Sequence, residues 1–221
     1  MDVLTQKRSK LQTLTWLGLP LVAVVGWWYP LLGFLLFGCM IGAVAVAFFR
    51  GRHWCDWMCP RGAFFDVILG KISPKSRIPS LFRHTGLRVF MIVIIFSVIG
   101  TQFYFHWGNA EQIGLALVRV LTVTTVIGIL LGLIYHPRVW CHICPMGTLA
   151  HWLSEGKRPL TLQEGCAECG RCAAVCPMQL EPHQYRADGI VRDNDCIKCA
   201  SCIAACPKKI LVFADYDRKA A

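Results

Sequence analysis

Apolar residues are gathered into long runs separated by short polar ones. From Leu11 to Phe49 there is no charged residue. As one helix that stretch would be roughly 58 Å long, about twice a hydrocarbon core of ~30 Å. It must therefore turn back, and Trp27-Trp28-Tyr29-Pro30 is the natural place: aromatics favour the membrane interface, and proline begins a helix more readily than it continues one. The pattern predicts spans over Leu11–Tyr29, Leu31–Phe49, Val89–Phe105 and Leu115–Tyr135, the last carrying Arg119 near its start.

The charge distribution orients these spans. Lys and Arg number three in the amino-terminal tail and eight between Arg50 and Arg88. The Pro30 turn and the segment His106–Gly114 hold none. By the positive-inside rule both termini and the long basic connection face the cytoplasm. The net charge of +10 is then mostly a topology signal. With 55% hydrophobic and 16% charged residues, the composition excludes a soluble nucleic-acid binder and a largely disordered chain.

Thirteen cysteines carry the chemistry. Residues 166–177 and 196–207 each read C-x2-C-x2-C-x3-C-P, with starts thirty residues apart. This is the bacterial ferredoxin run, in which the fourth cysteine ligates the other cluster. Cys166, Cys169, Cys172 and Cys206 are expected to hold one [4Fe–4S] cluster, and Cys196, Cys199, Cys202 and Cys176 a second. Zinc, which more often takes two separated ligand pairs, is the weaker alternative.

A second repeat lies at the membrane edge. Trp54-Cys55-Asp56-Trp57-Met58-Cys59-Pro60 follows the second span, and Trp140-Cys141-His142-Ile143-Cys144-Pro145 the fourth, 86 residues later. Two duplicated hairpins would bring Cys55, Cys59, Cys141 and Cys144 together as four thiolates for one more iron–sulfur cluster. Zinc or another metal, thiol–disulfide chemistry in each pair, or a structural role are the alternatives. Cys39, in mid-span, reads as a small buried apolar residue.

These motifs resemble the NapH family of membrane-bound quinol dehydrogenase components. They are also similar to the carboxy-terminal part of NosR and to other membrane polyferredoxins. The resemblance implies electron transfer between the quinone pool and a partner oxidoreductase. One departure is visible: the family's C-x3-C-P is kept at Cys55–Cys59 but shortened to C-x2-C-P at Cys141–Cys144.

The expected architecture is an α-helical membrane protein. Four transmembrane helices form two hairpins over residues 1–153, followed by an α+β two-cluster ferredoxin-like domain over 154–221, entered through a linker at Ser154–Gly165. Both termini and the ferredoxin domain would lie on the cytoplasmic side of a bacterial inner membrane. Partners would be membrane lipid, quinone and other redox subunits. Haem is not expected, because no C-x-x-C-H occurs and the histidines lie at span edges or outside, although His84 and His136 could share a face. Quinone has two candidate positions. One is near the cysteine motifs, with Trp54, Trp57 and Trp140 as walls; the other is on the outer side, near Arg119, His106, Trp107, Glu111 and Gln112. No nucleotide or flavin motif and no nucleophile constellation is present. The chain therefore reads as an electron carrier, the electron-transfer subunit of a quinone-linked complex. A CcoG-like maturation or metal-reducing factor, and a structural anchor subunit, are the other readings.

Overall fold

The computed structural model describes residues 3–214. The termini themselves, Met1–Asp2 and residues 215–221, whose cytoplasmic placement the charge pattern predicts, lie outside the described residues. Twelve helices and three short strands are described. They are α1 Val3–Thr15, α2 Gly18–Pro20, α3 Leu35–Arg50, α4 His53–Trp57, α5 Pro60–Phe64, α6 Gly70–Ile72, α7 Thr85–Phe105, α8 Ala110–Ile134, α9 Trp140–Ile143, α10 Pro145–Leu153, α11 Arg171–Ala174 and α12 Ser201–Ala205, with β1 Leu160–Leu162, β2 Ile190–Val191 and β3 Leu211–Phe213.

Among the described residues three helices are long and apolar enough to cross a membrane: Pro30–Arg50 (a 3-10 turn running into α3), α7 and α8. They match the second, third and fourth expected spans. The first expected span is not one continuous helix. A turn at Trp16–Leu17 separates α1 from α2, and after α2 Leu21–Val25 relaxes into a π-helical turn. Pro20, without a backbone N–H, removes one rung of the backbone ladder. The path still runs from one end of the bundle toward the other. Gln12 donates to the Asp56 carbonyl (3.0 Å), whereas a Cβ at Gly26 would meet the Val118 side chain at 2.7 Å.

At the far end from the cysteine motifs, Trp27, Trp28, Tyr29, Tyr104, Phe105 and Trp107 are exposed, forming an aromatic rim of the kind found at membrane interfaces. There the backbones of Gly33 and Gly114 touch. A Cβ on either would run into a carbonyl oxygen, that of Gly114 or of Pro30. Small residues allow such close helix crossings in membranes. Gly114→Ala is expected to destabilise the bundle by about 1–3 kcal/mol, read as a lower Tm in detergent, while Gly100→Ala, which meets nothing within 4 Å, leaves it unchanged.

The segment after the first cysteine motif runs alongside α8. Arg61 donates to Thr124 Oγ1 (2.9 Å), the Phe65 ring fills the notch at Gly128, and Leu69 packs at Gly132. Ser73 Oγ then donates to the Gly132 carbonyl (2.6 Å). This register puts the Cys59-Pro60 turn level with residues 121–124, about 15 Å short of the end of α8 at 1.5 Å per residue. The cysteine motif is thus sunk between helices rather than hung below them.

The carboxy-terminal unit is built on an antiparallel sheet in the order β2-β1-β3, with Leu160 opposite Val191 and Phe213. Its central strand comes from the Ser154–Gly165 segment expected as a linker. Leu160 and Leu162 face the core, and an alternating run of three residues is too short to stand out from a loop in sequence.

Candidate iron–sulfur centres

The thirty-residue repeat is written in the backbone as well as the sequence. Glu168 and Lys198, Gly170 and Ala200, and Gln179 and Lys209 all have φ between 52° and 70°, and each pair is thirty residues apart. A left-handed residue costs a non-glycine side chain ~1–2 kcal/mol. Its recurrence at matching positions marks a loop shape shared by the two runs.

Two cavities lie under these loops. One is lined by Cys176, Cys196, Cys199 and Cys202, with Met178 and Ile197 among its apolar walls. The other is lined by Cys166, Cys169, Cys172 and Cys206, with Gly170 and His183. Each gathers three cysteines of one run and the fourth of the other, the crossed set expected from sequence. Among the described residues no three Cys, His, Asp or Glu side chains converge tightly enough for a single ion; a cubane spreads its thiolates over four corners and needs no such convergence. The donor set, the cavities and the repeated loop fit [4Fe–4S] clusters. Cys169 is the exposed thiol of the twelve, so the 166/169/172/206 centre is the outer one.

The membrane-edge motifs have equivalent local structures. In each, a short helix (α4, α9) is followed by a cysteine with extended ψ, Cys59 or Cys144, that caps the next helix (α5, α10), which proline starts. Cys59 N donates to the Trp54 carbonyl and Cys144 N to that of Trp140, at 3.0 and 2.9 Å. The first ring is one residue longer. The C-x3-C and C-x2-C spacings are therefore accommodated by one extra residue in the first turn, and the two half-sites keep the same shape.

The four thiols are electrostatic neighbours. Burial pushes Cys59 up to about 12, and the nearby Cys55, Cys141 and Cys144 add to the rise. Burial likewise raises Cys141 to about 11, with the Arg138 guanidinium opposing and Cys144 and Cys55 adding. Without a cation to share, Cys59 and Cys141 stay protonated, so loading iron there must displace protons.

Cys55 and Cys141 also pack against the apolar cluster of Met178, Leu180, Ile197 and Cys199, together with Cys176 and Cys196. The inner ferredoxin cavity thus abuts the membrane-edge thiols. Trp57 Nε1 donates to the carbonyl of Lys198, between two cysteines of the inner run (3.2 Å). Arg83 donates to the carbonyls of Met178 and Gln179 (2.8 and 2.9 Å).

The residues that make this junction were not singled out in the sequence. Asp195, beside Cys196, accepts from Arg52 (2.6 Å), Arg88 (2.6 Å) and His151 (2.8 Å), and faces His142 at 3.5 Å. Burial opposes its charge, but the His142 and His151 contacts, Arg52 and Arg88 hold the carboxyl below its ordinary range. Asp56 and Asp66 share Arg138 and Arg8. Arg52, Arg88 and Arg138 are buried, so part of the charge excess that gives the topology signal is structural. The available clue was an arginine three residues before the first cysteine of each membrane-edge motif and an aspartate before Cys196.

The residues suggested for quinone lie in different surroundings. Trp140 and Trp57 are buried, Trp54 lies over Gly42, and Arg119 is exposed on α8. Arg61, which sequence reading counted only as a topology charge, lies with its guanidinium 5.6 Å from the Trp140 ring centroid. His84 and His136 each use Nδ1 to accept from a nearby backbone N–H.

Comparison with known proteins agrees with this geometry. A 4Fe-4S binding domain family matches twice, at residues 32–79 and 118–163, with starts separated by the same 86 residues as the two motifs. A 4Fe-4S dicluster domain family matches residues 165–211. The methylamine utilization ferredoxin-type protein MauN of Methylobacillus flagellatus is 31% identical over 162 residues, 65% of this chain and 55% of that protein. The ferredoxin-type protein NapH of Escherichia coli is 27% identical over 165 residues, 69% of this chain and 55% of that protein. MauN of Methylorubrum extorquens is 29% identical over 160 residues, covering 65% and 54%. The chain spans a little over half the length of these curated relatives. No solved structure matches it. The chain thus carries 4Fe-4S binding and dicluster domains and is similar to the ferredoxin-type proteins NapH and MauN.

Proposed function

We propose that this protein relays electrons between the quinone pool and a partner oxidoreductase through three [4Fe–4S] clusters in series. The carrying observation is the packing of Cys55 and Cys141 against the apolar cluster that walls the inner ferredoxin cavity. In this reading Cys55, Cys59, Cys141 and Cys144 hold the membrane-edge cluster. Cys176, Cys196, Cys199 and Cys202 hold the inner ferredoxin cluster, and Cys166, Cys169, Cys172 and Cys206 the outer one, from which electrons pass to or from the partner. When bound, the clusters supply one-electron carriers whose potentials respond to hydrogen bonds and exposure; the protein holds them in order and keeps water from the first two.

The membrane part, residues 1–153, anchors this chain of centres as two hairpins. The continuity of the path from Gln12 to Gly26 supports a first, broken span. The residues from 154 onward form the dicluster domain, on the cytoplasmic side of a bacterial inner membrane, where thiolates stay reduced. Quinone approaches from lipid near Arg61 and Trp140, two residues from Cys59. A cation level with the middle of a membrane helix, with no carboxylate partner among the described residues, is a functional group by default.

The test uses the full-length protein in liposomes, reduced with dithionite and mixed anaerobically with a short-chain quinone. The expected result is rapid reoxidation of the iron–sulfur absorbance, slowed by Arg61→Leu. Reoxidation no faster than for a soluble two-cluster ferredoxin would overturn the quinone link. Cys169→Ser is expected to remove the outer cluster's signal, about four irons, while the remaining signals still reoxidise with quinone, because that centre lies furthest from the membrane.

A further inference from the structure

The two membrane-edge half-sites are joined by a reciprocal contact. Arg52 stands three residues before Cys55 and Arg138 three residues before Cys141. Each arginine reaches across to the opposite motif. Arg52 Nη2 donates to the carbonyl of Cys141 (2.8 Å), and Arg138 Nη1 to the carbonyl of Cys55 (2.9 Å). Within its own motif each also uses its carbonyl, accepting from Cys55 N (3.2 Å) or Cys141 N (3.0 Å). The crossing is packed shut by one glycine per motif. A Cβ at Gly62 would lie 2.5 Å from the Cys55 carbonyl and 2.9 Å from Arg138 Nη1. At Gly147 it would lie 2.8 Å from the Cys141 carbonyl and 3.0 Å from Arg52 Nη2. Both glycines are the fourth residue of a Cys-Pro-x-Gly turn, so the same four-part arrangement occurs twice, related by exchange of the halves.

Resting on the three-cluster reading, we propose that Arg52 and Arg138 are a crossed pair of positioning residues for the membrane-edge cluster. Each fixes the loop of the other half-site, so that four thiols from two hairpins meet at one centre. Their buried charge raises the reduction potential of what binds there. Arginine suits the task because one planar fork can serve a carbonyl and a carboxylate together. Arg52 spends its other arm on Asp195 (2.6 Å), and Arg138 its other nitrogens on Asp56 and Asp66 (2.6–2.9 Å). Arg138 also comes within 3.8 Å of Cys141 Sγ. A cluster held by four thiolates is anionic and gains one more negative charge on reduction. In a buried site, fixed positive charge beside it favours the reduced form.

The experiment is an EPR-monitored redox titration of the full-length protein, wild type against Arg52→Gln and Arg138→Gln. The signal moved by both variants is expected to be the membrane-edge one. Its midpoint should fall enough to change its electron-exchange equilibrium with the inner cluster about tenfold, which is ~59 mV for a one-electron couple. Arg52→Lys and Arg138→Lys keep the charge but lose the fork. They should restore the potential while altering the line shape of that signal alone. If the Gln variants do not fold, the Lys variants decide: an unchanged line shape overturns the proposal, as does an unmoved midpoint in folded Gln variants. A wild-type protein with two signals and about eight irons defeats the three-cluster reading itself, before any variant is made. Three signals in wild type with insensitive variants defeats only the arginine assignment.

Discussion

Cys55→Ser and Cys141→Ser are each expected to lower the iron content of the anaerobically purified protein from about twelve to about eight per chain, with acid-labile sulfide falling in step. Reoxidation of the remaining clusters by quinone should fall to background. A serine hydroxyl is a far weaker iron ligand than a thiolate, and loss of one of four corners from a site shared by two hairpins leaves neither half able to hold a cluster firmly. Dithionite should still reduce the dicluster domain, because its eight cysteines come from other loops and line their own cavities. That combination separates a broken chain of centres from a misfolded protein. If iron stayed at twelve, or if both variants had eight irons but kept full quinone reactivity, the membrane-edge cysteines would not be the entry point.

Asp195→Asn is expected to have the largest effect on stability. The change keeps the shape and removes the charge, leaving the buried guanidinium groups of Arg52 and Arg88 facing a neutral amide. Removing one partner of a buried ion pair typically costs ~3–5 kcal/mol, because the other charge remains desolvated. The loss should appear as a lower Tm in detergent and as faster release of iron from the inner cluster, whose ligand Cys196 is the next residue. The pH dependence follows in sign. The folded-state pKa of Asp195 lies below its ordinary value of 3.8. Its stabilisation is therefore present in full above about pH 4 and is lost only as pH falls toward the folded value. The contribution of this carboxylate is expected to be flat from pH 5 to 8, and a denaturation series of wild type and variant across that range checks it.

The local features of the site could be read from the chain, whereas the contacts that assemble it could not. The crossed ligand sets follow from the C-x2-C-x2-C-x3-C-P spacing alone, and the structure gathers the same cysteines around each cavity. The 86-residue repeat likewise anticipates the shared shape of the two Cys-Pro turns. Three of the spans could be read because lipid-facing helices need unbroken apolar runs of sufficient length. The first is broken by a turn at Trp16–Leu17 and a π-helical stretch after Pro20, and hydropathy does not report backbone continuity. Strand β1 is three residues long and gains its identity from pairing with β2 and β3. Arg52, Arg88 and Arg138 looked like loop charges, because a sequence does not show that each meets a carboxylate from a segment tens of residues away. The Arg52–Asp195 and Arg138–Asp56 pairs join segments 143 and 82 residues apart.

The central claim is that the membrane-edge thiols hold a cluster continuous with the ferredoxin pair. Spin quantitation of the fully reduced, full-length protein tests it most directly, with iron measured on the same sample. The account predicts about twelve irons and three magnetically interacting S = 1/2 centres per chain. Two centres with about eight irons, unaffected by Cys55→Ser, would contradict it.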